Sequence, residues 1–381
     1  MTIVHVFASF PNASQPYNLK LIKRLIASQV DCKVITFGKS SKQDGLKVHS
    51  FKHYNYRWLW YVFIAIKNCK LFFKYKKQAG LRYKKAIFYF GRYATIIKFT
   101  PNVIHVHHIQ LLQPHLISFF NILNIKPLVS VRGSDVLVRP YRSNKEMTFL
   151  LNVFENISYV HTVSEHLKIS LDKLTKKTFE FFVIRRTVEV DSKIDDLSYK
   201  NNCIKITTIG RLHWTKGYRL ALEALFILKN NGIDFEYHIC GSYTDEQFDE
   251  LKFCLNDMGL EKYVTFHGHL NSQDLDQMLR QTTIYLQCSL TEGIPNTLLR
   301  ALFYRIPIVT SNAGGIPEVF RNKKDGFMVE KGNSSLLAEA LDALISNKEL
   351  MTTIRNSASL INSNYDEEIS AYENMYDKIT I

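Results

Sequence analysis

At 381 residues the chain exceeds what one hydrophobic core usually supports, and 46% apolar residues without a long low-complexity tract exclude a disordered protein. Its six cysteines are widely scattered with no C-x-x-C pair, which excludes a disulfide framework and fits small core residues in a reducing cytosol. The net charge of +14 is concentrated in one place, because residues 45–134 contain 15 Lys and Arg and no Asp or Glu.

Residues 2–8 read as a buried parallel strand, 17–28 as an amphipathic helix and 33–37 as a second strand. No basic flank or small-residue cleavage site precedes the first strand, so no signal peptide is expected. The loop at residues 10–17 lacks glycine and makes a poor phosphate cradle. From 51 to 99 the sequence interleaves Trp58, Trp60, Tyr61, Phe63, Phe72, Phe73 and Tyr75 with Lys67, Lys70, Lys74, Lys76 and Lys77. Its longest uncharged run, 58–66, is far short of the roughly 20 residues a spanning helix needs. Two readings stay open: a pair of helices whose aromatics face the core, or a basic aromatic surface at 57–92 for an anionic membrane. Nucleic acid is set aside, since no recognition motif accompanies the charge. The strand at 103–108 ends in His105, His107 and His108. With only His115 nearby, a zinc set is not expected, and a strand-end histidine facing a cleft is the preferred reading. Strands follow at 128–131 and 158–163, with Ser164 as an N-cap.

Residues 191–202 are polar and aperiodic, which places a linker at 186–202. A second series then opens: strand 204–209, Gly210-Arg211-Leu212, Lys216-Gly217 and a helix at 218–230. Strands at 236–240, 264–267 and 284–288 alternate with helices at 245–257 and 272–281. Asp274 and Asp276 form a D-x-D triplet, but the start of a helix gives these carboxylates a structural role. In the stretch from 289 to 319, Glu292-Gly293 leads through Pro295, read as the first helical residue, into a buried short helix stopped by Pro307. Asn312-Ala313-Gly314-Gly315 closes a second strand-to-helix turn. Two such turns at strand ends suit a phosphate or a cluster of sugar hydroxyls, hence a nucleotide-sugar pocket. Helices at 334–346, to 363 and at 366–381 complete the chain.

The residues Glu292-Gly293, Pro295-Asn296, the following Leu pair and Gly314-Gly315-Ile316-Pro317-Glu318 resemble the E-x7-E region of the retaining, nucleotide-sugar-dependent glycosyltransferases of family 4. Three departures accompany the likeness. Arg300 stands where the second Glu falls, Arg132 replaces the His of an H-G-x-D turn at residues 132–135, and Arg185-Arg186-Thr187 replaces a Pro-Asn-Gly triplet. The resemblance implies an α/β protein of GT-B fold, two Rossmann-like domains with parallel sheets facing a central cleft. Residues 1–185 would bind the acceptor and 203–364 the nucleotide sugar, with a helix at 365–381 returning to the first domain.

The same resemblance implies a metal-independent, retaining transferase that moves a hexose or N-acetylhexosamine from a UDP- or GDP-linked donor. The acceptor would be a glycan or polyisoprenoid-linked, in bacterial surface polysaccharide synthesis at the cytoplasmic membrane face. Arg211 and Lys216 would neutralise the departing diphosphate, and Glu292 would bind donor-sugar hydroxyls with backbone N–H groups of Ile294, Asn296 and Thr297, in the stretch shaped by Pro295, and of Gly315. Gly241 and His267 would border the base, and Gly293 and Arg300 complete the donor set. No cofactor is implied. A degenerate scaffold, an epimerase and a phosphorylase are the alternatives.

Overall fold

The computed structural model describes residues 1–11, 16–38, 46–50, 58–188, 203–357 and 365–380. The predicted linker therefore falls mostly outside the described residues, as do parts of the first loop and of the segment before Trp58. The chain divides into two compact units, one of residues 1–185 with 364–381 and one of residues 186–363.

The first unit is built on seven strands: β1 (Thr2–Phe7), β2 (Asp31–Thr36), β3 (Val48–Ser50), β4 (Val103–Val106), β5 (Leu128–Val131), β6 (Tyr159–Thr162) and β7 (Glu180–Val183). They lie in the order β3-β2-β1-β4-β5-β6-β7 and every pairing is parallel. The central strands are buried on both faces, as sheets covered by helices on both sides require, and are apolar apart from buried polar residues that include His5, His105, Ser130 and His161. The helices are α1 (Pro16–Ala27), α2 (Trp58–Lys67), α3 (Cys69–Ala79), α4 (Tyr83–Lys98), α5 (Pro114–Ile122), α6 (Gly133–Leu137), α7 (Asn144–Glu155) and α8 (Glu165–Leu174). Ser164 does cap α8, its hydroxyl accepting from Leu167 N–H at 3.3 Å. The aromatic segment forms three helices rather than the pair expected, because Asn68 and the left-handed Gly80 each break the run.

The second unit has six parallel strands: β8 (Lys205–Ile209), β9 (Glu236–Cys240), β10 (Val264–Gly268), β11 (Ile284–Gln287), β12 (Ile308–Ser311) and β13 (Gly326–Val329). Their order is β10-β9-β8-β11-β12-β13. Around them lie α9 (Tyr218–Asn230), α10 (Asp245–Met258), α11 (Ser272–Gln281), α12 (Asn296–Phe303), α13 (Ser334–Ser346) and α14 (Lys348–Ser357). One core holds α9, α10 and α13 against the sheet, and a second holds α11 and α12 against its other face. The chain runs outward through β8, β9 and β10 and then returns to β11, so the topological switch point lies between β8 and β11, where open α/β sheets bind ligands.

Two details of α12 differ from the sequence reading. Pro295 is the N-cap, with ψ of 118°, and the helix ends before Pro307, where Arg305 turns left-handed at φ 53°. The last helix, α15 (Tyr365–Thr380), belongs to the first unit, where it packs on α1 and β4. Among the described residues no helix is long and apolar enough to cross a membrane.

Candidate active site

The loops that leave β8 and β11 flank the switch point of the second unit and are tied together by Leu290 N–H donating to Thr215 O at 2.8 Å. The first loop carries Arg211, exposed, and Lys216, at the end of a short 3-10 turn, Trp214–Lys216. The second carries Glu292. These meet: the Lys216 ammonium donates to Glu292 Oε1 in an ion pair whose side chains are 22% and 12% exposed. Beneath it, Ser289 Oγ donates to the same oxygen at 2.9 Å, and Gln287 Nε2 donates to Ser289 Oγ at 2.5 Å. The Tyr285 hydroxyl lies 2.8 Å from Gln287 Oε1 and 2.9 Å from Thr297 Oγ1, which donates to Ile209 O at 3.3 Å. A buried polar chain thus links β11, the start of α12 and the end of β8 to the carboxylate. Tyr218 closes the other side, its hydroxyl donating to Gly210 O at 2.5 Å.

Backbone geometry holds the Glu292 loop from the turn that leaves the neighbouring parallel strand β12. Gly314 has φ +60°, and a Cβ there would sit 1.9 Å from Glu292 O, so only glycine lets the two turns approach. The amide of Gly315, expected to face the donor sugar, instead donates to Gly293 O at 2.9 Å. Gly315 and Gly293 thus brace the loop. Asn296 and Thr297, which open α12, present N–H groups with no acceptor inside the helix. Ile294 is partly buried beside them. Gly241 and His267 sit toward the β9-β10 edge. A Cβ at 241 would lie 1.8 Å from Gly210 O, and His267 Nε2 is 2.9 Å from His238 Nδ1, with burial lowering the pKa of both histidines.

Arg300 points at α11, not toward Glu292. Its Nη2 donates to Asp276 Oδ1 at 2.6 Å and to Ser272 Oγ at 3.0 Å. The D-x-D triplet is spent structurally, since Asp274 Oδ2 accepts from the N-cap Asn271 at 2.6 Å while Asp276 pairs with Arg300.

A cavity of about 350 Å³ adjoins this site, lined by Leu212, Trp214, Tyr218, Leu251 and Leu290 but not by Arg211, Lys216 or Glu292.

In the first unit the strand-end histidines are not surface groups. His105 and His107 are buried, and His105 uses both ring nitrogens, Nδ1 at 2.8 Å from the Tyr376 hydroxyl and Nε2 at 2.7 Å from Ser130 Oγ. His107 Nε2 is 3.0 Å from Nδ1 of His5, a residue the sequence reading did not connect with them. His5, His105 and His107 each bring a nitrogen within 4.8 Å of the others. Burial pushes His5 down to about 3 and lowers the other two well below the ordinary range. His108 is partly buried and lowered to about 4, and His115 packs edge-on against Tyr89.

Comparison with known proteins decides the family of this region. Residues 191–360 match the model of glycosyl transferases group 1. That segment belongs to the group 1 glycosyltransferases. The amylovoran biosynthesis glycosyltransferase AmsK of Erwinia amylovora is 35% identical over 144 residues, 36% of this chain and 35% of the relative. A UDP-Gal:alpha-D-GlcNAc-diphosphoundecaprenol alpha-1,3-galactosyltransferase of Escherichia coli is 30% identical over 45% of this chain and 44% of its own length. The matches thus span a third to a half of the curated relatives' length. At the level of fold the likeness extends over the whole chain. The crystal structure of Anabaena HepE in complex with UDP and glucose superposes with a TM-score of 0.73 at 16% identity, covering 100% of this chain and 99% of that one. The group 1 segment and the unit before it together have the GT-B fold.

Proposed function

We propose that the chain is a retaining, metal-independent glycosyltransferase that moves a hexose or N-acetylhexosamine from a UDP- or GDP-linked donor to a glycan or lipid-linked acceptor in bacterial surface polysaccharide synthesis. The observation that carries this reading is the Lys216-Glu292 pair at the switch point of a group 1 segment, with Arg211 exposed on the same loop. The named activities of the similar proteins and the UDP-glucose ligands of HepE support it.

In this reading the bond between the anomeric carbon and the diphosphate oxygen breaks, the acceptor oxygen attacks from the same face, and its proton passes to the departing phosphate. Arg211, Lys216 and the N–H groups opening α12 stabilise the charge that grows on the leaving group. Glu292 accepts from hydroxyls of the donor sugar and fixes its orientation. Gly241 and His267 border the base, and Arg300 supports α11 while something else holds the ribose. The first unit takes the acceptor, at the cytoplasmic face of the membrane, with segment 57–92 meeting anionic lipid.

The test is incubation with a panel of UDP-, GDP-, ADP- and dTDP-sugars without acceptor. Slow hydrolysis of one donor is the expected result, and an isomerised sugar would identify an epimerase instead. Binding without turnover would favour the second reading, a catalytically degenerate GT-B scaffold, for which Arg300 in the place of the second Glu, Arg185-Arg186 and the glycine-free first loop argue.

A further inference from the structure

Helix α2 has two unlike faces. Tyr61, Ile64 and Ala65 are buried, and Tyr61 is pressed onto α4 where Gly91 makes room, since a Cβ at 91 would lie 2.5 Å from the ring. On the other side Leu59, Phe63 and Ile66 follow one another at helical spacing and are 81%, 59% and 68% exposed. On the adjoining α3, Phe73 is 55% exposed among exposed Lys70, Lys74 and Lys77, and at the start of α4 Tyr83, Lys84 and Lys85 are exposed in turn. No carboxylate occurs anywhere in residues 45–134 to answer these charges. An outward stripe of three large apolar side chains is what a soluble monomer seldom shows.

We infer that α2 is an in-plane membrane-insertion helix, whose Leu59, Phe63 and Ile66 enter the acyl boundary of an anionic bilayer while Lys67, Lys70, Lys74, Lys77, Lys84 and Lys85 hold the headgroups. Ten residues of helix extend about 15 Å, half the hydrocarbon thickness, so α2 lies along the interface and does not span it. The charge complementarity selects an anionic lipid surface. The apolar stripe argues against a nucleic acid, whose phosphate backbone has nothing for Phe63 or Leu59 to bury. This deepens the membrane partner named above and adds a second force to it. Charge attraction recruits the protein and fades as the Debye length shortens from about 10 Å at 0.1 M salt to about 3 Å at 1 M, whereas insertion does not fade.

The experiment is flotation of the whole chain on vesicles of phosphatidylglycerol and phosphatidylcholine, in low and high salt. Wild type should bind at 0.1 M salt and keep a measurable fraction at 1 M. Lys74, Lys77, Lys84 and Lys85→Gln should weaken binding at 0.1 M by at least about a hundredfold. Leu59→Ser, Phe63→Ser and Ile66→Ser together should remove the salt-resistant fraction. In a Trp214→Phe background, lipids brominated near the top of the acyl chain should quench Trp58 and Trp60. Binding without quenching, or a triple Ser variant that floats like wild type, would overturn insertion. No flotation at all, or an oligomer that the triple Ser variant dissolves, would make the stripe a solvent face or a self-association surface. Donor hydrolysis in free solution, measured on the Lys→Gln and the triple Ser variants with Trp214 intact, separates this proposal from the transferase reading, because the substituted residues lie on the first unit's surface.

Discussion

Glu292 is held at one oxygen. Lys216, Ser289 and Gln287 all address Oε1, so Oε2 is the atom through which the carboxylate meets a donor hydroxyl in the proposed reaction. A hydrogen bond to a charged group is worth about 1.5–3 kcal/mol, so Ser289→Ala should lower kcat/KM for the donor by roughly 10- to 100-fold while the fold persists. Steady-state kinetics with the active donor check this, and unchanged kinetics would remove Ser289 from the site. The family resemblance groups Arg211, Lys216 and Glu292, and the fold brings Lys216 to Glu292. Ser289 and Gln287 went unread, although Tyr285, Gln287 and Ser289 alternate along one strand direction, and polar residues at alternate places of an apolar run mark a shared face. Arg300 was noticed as a departure, but its partner was not, because Asp276 lies 24 residues away on another helix. Breaking such a partly buried pair leaves a charge uncompensated. Arg300→Glu alone should therefore destabilise by about 3 kcal/mol or more, with two carboxylates opposed, and Arg300→Glu with Asp276→Arg should recover most of that loss. Urea titrations decide it, and equal stabilities of the single and double variants would refute the pairing.

Among the elements, long periodic helices and apolar parallel strands were readable from pattern, as α9 and α11 illustrate. The short strands β3 and β7 were not. Three or four residues at a sheet edge carry too little periodicity to stand out from loop. The burial of His105 and His107 was also hidden, since it depends on α15, whose Tyr376 and Tyr372 come from the far end of the chain to meet His105 and His161. The result is an acid-sensitive element. Burial lowers the folded pKa of His5, His105 and His107 below the unfolded value of 6.5, so their neutral forms support folding fully above about pH 6.5. That support is lost as pH falls toward the folded values. For His5, with a folded pKa of about 3, the loss at pH 5 is about 2 kcal/mol. Unfolding of the first unit should shift to lower temperature between pH 7 and pH 5, and His5→Asn should flatten that slope while lowering stability at pH 7. A transition independent of pH over this range would contradict the buried network.

For the whole molecule, the 381-residue length points to two domains, and the resemblance to the glycosyltransferases of family 4 implies that both are Rossmann-like. Strand order was beyond pattern alone, yet it determines where chemistry can occur. Only the reversal between β8 and β11 brings the loop of Lys216 beside the loop of Glu292. In the proposed function this place binds a nucleoside diphosphate sugar. Isothermal titration of the full chain with UDP- and GDP-sugars tests it most directly, alongside Arg211→Ala, Lys216→Ala and Glu292→Ala. Saturable binding of at least one donor is expected, weakened tenfold or more by each substitution, about 1.4 kcal/mol apiece. Absence of binding by every donor, or equal affinity in all three variants, would contradict it.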